Sequence, residues 1–105
     1  MTTFTSGQTY PIVGDSGARP PAEASLAEQT RACLVNLETV VRAAGGQRDD
    51  IVSVTIYNTR MAEQDAVNAV YTEFFGAHRS ARTHVEVSRL ADPSLLIEIQ
   101  AIAGV

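Results

Sequence analysis

The 105 residues carry a formal net charge of −4 and are 45% hydrophobic, which places the chain among globular rather than disordered sequences. Acidic and basic residues are interspersed without a basic run or stripe, so the electrostatic footprint of a nucleic-acid binder is missing. The length suits a single domain over residues 1–105, no apolar run is long enough to span a bilayer, and no charged-then-apolar segment opens the sequence; the expected location is cytoplasmic.

Thr2 to Gln8 is the first predicted strand. Phe4 is its one large apolar residue, and Gly7 marks a bulge or a close backbone approach. Tyr10 to Ala24 is a predicted loop, punctuated by Pro11, Gly14, Gly17, Pro20 and Pro21. A loop that long in a small domain is functional or mobile. Ser25 then opens the clearest helix, because Ser25 and Glu28 fit a capping box that satisfies free amide donors at a helix start. Leu26, Thr30, Cys33, Leu34, Leu37, Val40, Val41 and Ala44 recur at helical spacing as its buried face, with Glu28, Arg31, Glu38 and Arg42 on the outer side. Gly45-Gly46 stops it. Cys33, the single cysteine, reads as a small core hydrophobe rather than a nucleophile.

Ile51 to Thr59 is a predicted central strand, with Val52, Val54 and Ile56 on one face and Ile51, Ser53, Thr55 and Tyr57 on the other. Asn58-Thr59-Arg60 turns the chain. The second helix runs from about Ala62 to Phe75, with an apolar stripe of Ala66, Val67, Val70, Tyr71, Phe74 and Phe75, and Gly76 ends it. Taken by themselves, Asn68 is a solvated helix residue and His78 an exposed loop histidine. Ser80 to Val87 alternates as a strand: Thr83, Val85 and Val87 share one face, and Arg82, His84, Glu86 and Ser88 the other. After a turn at Leu90 to Ser94, the last strand spans Leu95 to Ala103, with Leu96, Glu98, Gln100 and Ile102 opposite its apolar face. The last two strands are expected to pair as a hairpin. If Val85 and Val87 share the core face with Ile97 and Ile99, Glu98 lies on the Arg82 face, and a register shift of one residue swaps the faces.

The order strand, helix, strand, helix, strand, strand suits two helices covering one face of a four-stranded sheet. The other face, with Tyr57, Leu96 and Ile102 among polar residues, would then be an apolar patch of the kind that marks an interface. The polar row of the Arg82 strand is either a solvated edge or the lining of a cleft. A guanidinium fork suits a carboxylate, and a partly buried glutamate can orient or activate water. Arg82 and Glu98, with His84, Glu86 and backbone near Gly7, thus permit hydrolysis or tautomerisation of a small carboxylate. A structural ion pair is the alternative. His78 and His84 are isolated and match no metal-ligand spacing, so no metal is expected.

The chain resembles the Rid family, also called the YjgF-type, reactive intermediate deaminase or endoribonuclease L-PSP-labelled family. The resemblance lies in Thr5-Ser6-Gly7-Gln8, Gln29-Thr30-Arg31, Asn36-Leu37-Glu38, Ala43-Ala44-Gly45 and Asp50-Ile51-Val52. It continues through Val67-Asn68-Ala69-Val70-Tyr71, Phe74-Phe75, Ala81-Arg82-Thr83, Val85-Glu86-Val87, Leu90, Ile97-Glu98-Ile99 and Ala101-Ile102-Ala103. It implies a chorismate-mutase-like α/β (α+β) fold and a homotrimer whose sheets form an inner barrel, with clefts between subunits. It further implies cofactor-free hydrolysis of enamine or imine intermediates, of the 2-aminoacrylate and 2-iminopropanoate type, to a 2-keto acid and ammonia. By the same resemblance Arg82 holds the substrate carboxylate, Glu98 positions water, Gly7 contributes backbone, and Asn68 and His84 lie near the pocket.

The chain departs from the family pattern in four ways. These residues are expected to lack the family's strand before Ser6-Gly7-Gln8, with its cleft tyrosine; the family's frequent cysteine is His84; the proline before Ala-Arg is Ser80; and the Pro11 to Pro21 loop is individual. A non-catalytic carboxylate-binding or regulatory trimer is the alternative function. Endoribonuclease activity is a third reading, against which the acidic balance argues.

Overall fold

The computed structural model describes residues 2–9 and 24–104. Among the described residues the fold is built on strands β1 (Thr2–Phe4), β2 (Ile51–Asn58), β3 (Ala81–Glu86) and β4 (Ile97–Gly104), and helices α1 (Leu26–Ala43) and α2 (Gln64–Phe75), with single 3-10 turns at Arg48–Asp50 and Met61–Glu63. The loop expected over residues 10–24 lies outside the described residues, apart from Ala24.

α1 starts where its sequence says it should. The Ser25 hydroxyl accepts from the Glu28 amide at 3.1 Å, and the Glu28 carboxylate takes the Ser25 amide in return, completing the capping box. Beyond Ala44, Gly45 adopts φ +93°, a left-handed conformation that suits glycine. The inward face carries more polarity than its apolar spacing suggested. Gln29 and Asn36 are buried beside Leu34 and Leu37, whereas Val40 is only half-buried and Ala44 is exposed. Both amides have work that explains their burial. Gln29 donates to the Ser94 carbonyl and accepts from the Leu96 amide, fixing the approach to β4. Asn36 donates to the Thr9 carbonyl at 2.9 Å, fixing the chain just after Gly7.

The sheet order is β1-β4-β2-β3. β2 and β3 are parallel, joined by α2 as a crossover, and β4 lies antiparallel between β1 and β2. The expected β3–β4 hairpin is therefore corrected: β2 separates the two strands, and β3 is an edge. Helices α1 and α2 pack on one face, where Leu34, Leu37, Val41, Val67, Phe74 and Phe75 meet Val54, Ile56, Ile97, Ile99 and Ala101. Leu96, placed on the uncovered face by alternation, is corrected: it packs against this core. At the start of β2 a bulge between Ile51 and Ser53 throws Val52 outward, 52% exposed, and turns Ile51 into the core. That bulge reverses the expected faces of these two residues.

Glu38, expected on the solvated side of α1, is clamped there. Arg48 reaches it with two hydrogen bonds of 2.8 and 3.1 Å and Arg42 with one of 3.0 Å, while the Arg48 guanidinium lies 3.9 Å from the Phe74 ring centroid. The Arg48 hydrogen bonds hold the Glu38 carboxyl below its ordinary 4.5; burial opposes this and Arg42 assists it. A carboxyl depressed in the folded state contributes stability above its unfolded value and loses it as pH falls through the folded one. Acidification below about pH 4.5 therefore removes this contribution, and Glu38→Gln should show a shallower fall in Tm between about pH 5 and pH 3 than wild type. Parallel melting curves of the two proteins would show that Glu38 is not clamped.

Candidate functional site

Residues facing one another across a ladder share a face of the sheet. One row runs His84, Ile56, Ile99, and the next runs Arg82, Val54, Ala101. Ile56, Val54, Ile99 and Ala101 are core residues under the helices, so Arg82 and His84 lie on the helix-covered side of the sheet. The alternate row runs Val85, Tyr57, Glu98, which puts Glu98 on the uncovered side. Glu98 on the Arg82 face, expected from the assumed hairpin, is thus corrected. Two strand spacings, about 10 Å, and the sheet itself separate the two side chains within one protomer.

The sequence-predicted site residues instead form two clusters. In the first, Arg82 donates to the Asn68 side-chain oxygen at 2.9 Å and lies 4.9 Å from the Tyr71 ring centroid. Among the described residues no carboxylate pairs with this guanidinium. Asn68, read as solvated from its helix alone, is half-buried and orients the arginine. Tyr71, Phe75, His78 and Ser80 continue the wall of a cavity of about 270 Å³ beside Arg82. The Tyr71 hydroxyl is buried without a hydrogen-bond partner among the described residues. Burial raises its pKa, against weaker opposing effects from the Ser80 hydroxyl and the charges of Arg82 and Arg79. His78 is not the exposed loop residue expected: its Nε2 donates to the Ile51 carbonyl at 2.7 Å, and its ring meets Phe75. His84 stands half-buried beside Arg82, its Nε2 3.2 Å from the Asn58 amide nitrogen. Burial, and then the Arg82 charge, pushes its pKa below 6.5. Glu86 is an exposed residue at the far end of β3.

The second cluster is Gly7 with Glu98. Thr5 donates its amide to Ala101, and Gln8 bridges Ile99, so Ser6-Gly7 bulges out opposite the single residue Gln100. The bulge brings the backbone against the Glu98 side chain. A Cβ at position 7 would come within 2.7 Å of the Glu98 Cδ, so only glycine leaves the carboxylate where it stands.

Alternation in the sequence missed two contributors. By sequence Tyr71 belongs only to the core stripe. Asn58 falls in a predicted turn, yet it lies in phase with Val54 and Ile56 and is completely buried. A polar amide at a buried phase of a strand is itself a signal that something must satisfy it. Cys33 behaves as expected: it is fully buried, its thiol 3.8 Å from the Ile97 carbonyl, and burial raises its pKa to about 12, with Glu98 adding to the effect. The native protein should resist iodoacetamide at about pH 8 and label only when denatured; rapid native labelling, read by mass, would contradict this. Among the described residues no three His, Cys, Asp or Glu side chains converge as a metal site, and no helix is long and apolar enough to cross a membrane.

Fold and clusters together define a small two-helix, mixed-sheet protein with, on one sheet face, an arginine that meets no carboxylate among the described residues and, on the other, a glycine-backed glutamate. The family model described as endoribonuclease L-PSP matches residues 1–105, and the chain belongs to that family, the YjgF/RutC/Rid family. A RutC family protein of Pyrococcus horikoshii is 44% identical over 78 residues, spanning 74% of this chain and 61% of that relative. The 2-iminobutanoate/2-iminopropanoate deaminase of Escherichia coli (strain K12) is 40% identical over 103 residues, spanning 95% of this chain and 77% of the relative. The crystal structure of E. coli TdcF with bound serine matches with a TM-score of 0.84 and 34% identity, covering 97% of this chain and 79% of that one.

Proposed function

We propose that this protein hydrolyses the enamine and imine forms of small 2-amino acids, such as 2-aminoacrylate and 2-iminopropanoate, to the 2-keto acid and ammonia. The observation that carries the reading is the pair of clusters: a guanidinium held by Asn68 with no carboxylate partner among the described residues, and a carboxylate given room by Gly7. The deaminase relative and the serine-bound neighbour support it.

In this reading Arg82 grips the substrate carboxylate with its planar fork. Glu98 orients a water and takes its proton as the water oxygen bonds to C2, while the C=N π pair moves to nitrogen. That proton passes from Glu98 to the nitrogen, giving the neutral carbinolamine. Its hydroxyl proton then moves through Glu98 to the nitrogen as the C–N bond breaks and the C=O forms, so ammonia leaves and Glu98 ends ionised as it began. An enamine joins the same path once its C3 has gained a proton and its nitrogen has lost one. The hydrolysis is redox-neutral and calls for no cofactor.

Because Arg82 and Glu98 occupy opposite faces of one sheet, the reading places the cleft between two copies of the chain. The uncovered face supplies a surface for that assembly, with Phe4 72% and Val85 37% exposed alongside Tyr57 and Ile102. The proposed assembly is a homotrimer with the sheets turned inward, working in the cytoplasm.

The test is release of ammonia and pyruvate from 2-aminoacrylate generated in the assay. A saturable acceleration over buffer is expected, and a rate equal to buffer removes the reading. Gly7→Ala should lower the rate about tenfold or more, through displacement of Glu98, while moving Tm by only a few degrees. An unchanged rate in that variant would show that the position of Glu98 is immaterial.

One observation favours a second reading, a non-catalytic carboxylate receptor: within one protomer the arginine cluster and Glu98 lie on opposite faces of the sheet. Calorimetric binding of pyruvate without turnover of any imino acid would select it. Ribonuclease activity, named in the family description, finds no basic stripe here.

A further inference from the structure

His84 follows Arg82 by two residues on the same face of the edge strand β3. Its protonation state is set by a chain of hydrogen bonds that begins in the backbone. The Arg60 amide donates to the Asn58 side-chain oxygen at 2.8 Å, which fixes the orientation of that buried amide. The Asn58 nitrogen is thereby turned toward His84 Nε2, at 3.2 Å. An amide nitrogen only donates, so Nε2 must accept, and the imidazole proton resides on Nδ1. An imidazolium would set two donors against each other. Burial and the adjacent Arg82 charge disfavour it as well. Among the described residues nothing accepts the Nδ1–H.

We propose that His84 is a neutral Nδ1–H donor that binds a substrate oxygen beside Arg82, and that it takes no part in proton transfer. The inference rests on Arg82 as the carboxylate receptor. A carboxylate offers about four lone-pair sites, and the guanidinium fork takes two of them, leaving room for a neutral donor. A neutral imidazole N–H is too weak an acid to protonate a leaving amine at neutral pH, so the role is binding and orientation. Asn58 is a positioning residue, acting through His84.

Long-range 15N–1H correlation spectra of histidine-labelled protein test the tautomer directly. His84 should show a protonated Nδ1 and a bare Nε2. His78, whose Nε2 donates to the Ile51 carbonyl, supplies the opposite pattern in the same spectrum. An Nε2–H tautomer or an imidazolium at His84 at neutral pH overturns the proposal. Kinetics test the role. The amide of His84→Asn takes the place of Nδ1–H and should keep KM within about threefold of wild type, whereas His84→Gln places its amide at Nε2 and should raise KM about tenfold with a smaller change in kcat. The reverse order, or a loss confined to kcat in both variants, overturns it. Should the wild type turn over no imino acid, the deaminase reading fails separately. Pyruvate calorimetry then decides: weaker binding by His84→Gln alone supports the donor role, and equal binding by all three proteins overturns it.

Discussion

Arg82→Ala should abolish the acceleration of 2-aminoacrylate hydrolysis while leaving the fold and the oligomer intact. The two halves of that expectation have separate physical grounds. Arg82 is exposed at a sheet edge; its head donates to Asn68 and lies over Tyr71, and it belongs to no part of the core. Its removal from such a place costs little stability. The proposed carboxylate contact, by contrast, consists of two charge-assisted hydrogen bonds worth about 1.5–3 kcal/mol each. Their loss corresponds to about two to four orders of magnitude in kcat/KM. Arg82→Lys keeps the charge and loses the fork, so it should fall between the two proteins. Size-exclusion and melting curves, run beside the ammonia assay, separate a lost site from a lost fold. Full activity in Arg82→Ala would sink the deaminase reading at this residue.

The helices were the part of the fold most open to reading from sequence, because each is announced by local chemistry. The capping box at Ser25 and Glu28 is complete in the structure, and Gly45 and Gly76 both take positive φ just beyond the helix ends. Strand pairing was harder, since it depends on partners remote in sequence. Strand–helix–strand order could have suggested that β3 returns parallel to β2, but the short turn before β4 invited a hairpin instead. The faces of β3 misled for a related reason. On a central strand the apolar row marks the core; on this edge strand Val85 faces the uncovered side, and the polar row lies under the rim of α2, where Asn68 meets Arg82. Gly7 was legible as a bulge or close approach, and it is both. The role of Asn58 needed the register, because only the β2–β3 pairing brings it to His84.

Those opposite faces lead to a result that no single-protomer site can produce. Arg82→Ala and Glu98→Gln should each be inactive alone, yet unfolding and refolding them together in equal amounts should restore about a quarter of wild-type activity. The fraction follows from counting. If each cleft takes its arginine from one copy and its glutamate from the neighbour, random mixing supplies an intact arginine in about half of the clefts and an intact glutamate in about half, independently. Glu98→Gln suits the purpose, since it keeps the size of the side chain beside Gly7 while removing the base. Refolded single variants and refolded wild type set the floor and ceiling, and sizing chromatography shows that mixed oligomers have formed. Recovery near a quarter would place Arg82 and Glu98 in a shared cleft contributed by two subunits. Mixed oligomers no more active than the single variants would mean that the two residues do not meet across an interface, and the two-subunit cleft would have to be abandoned.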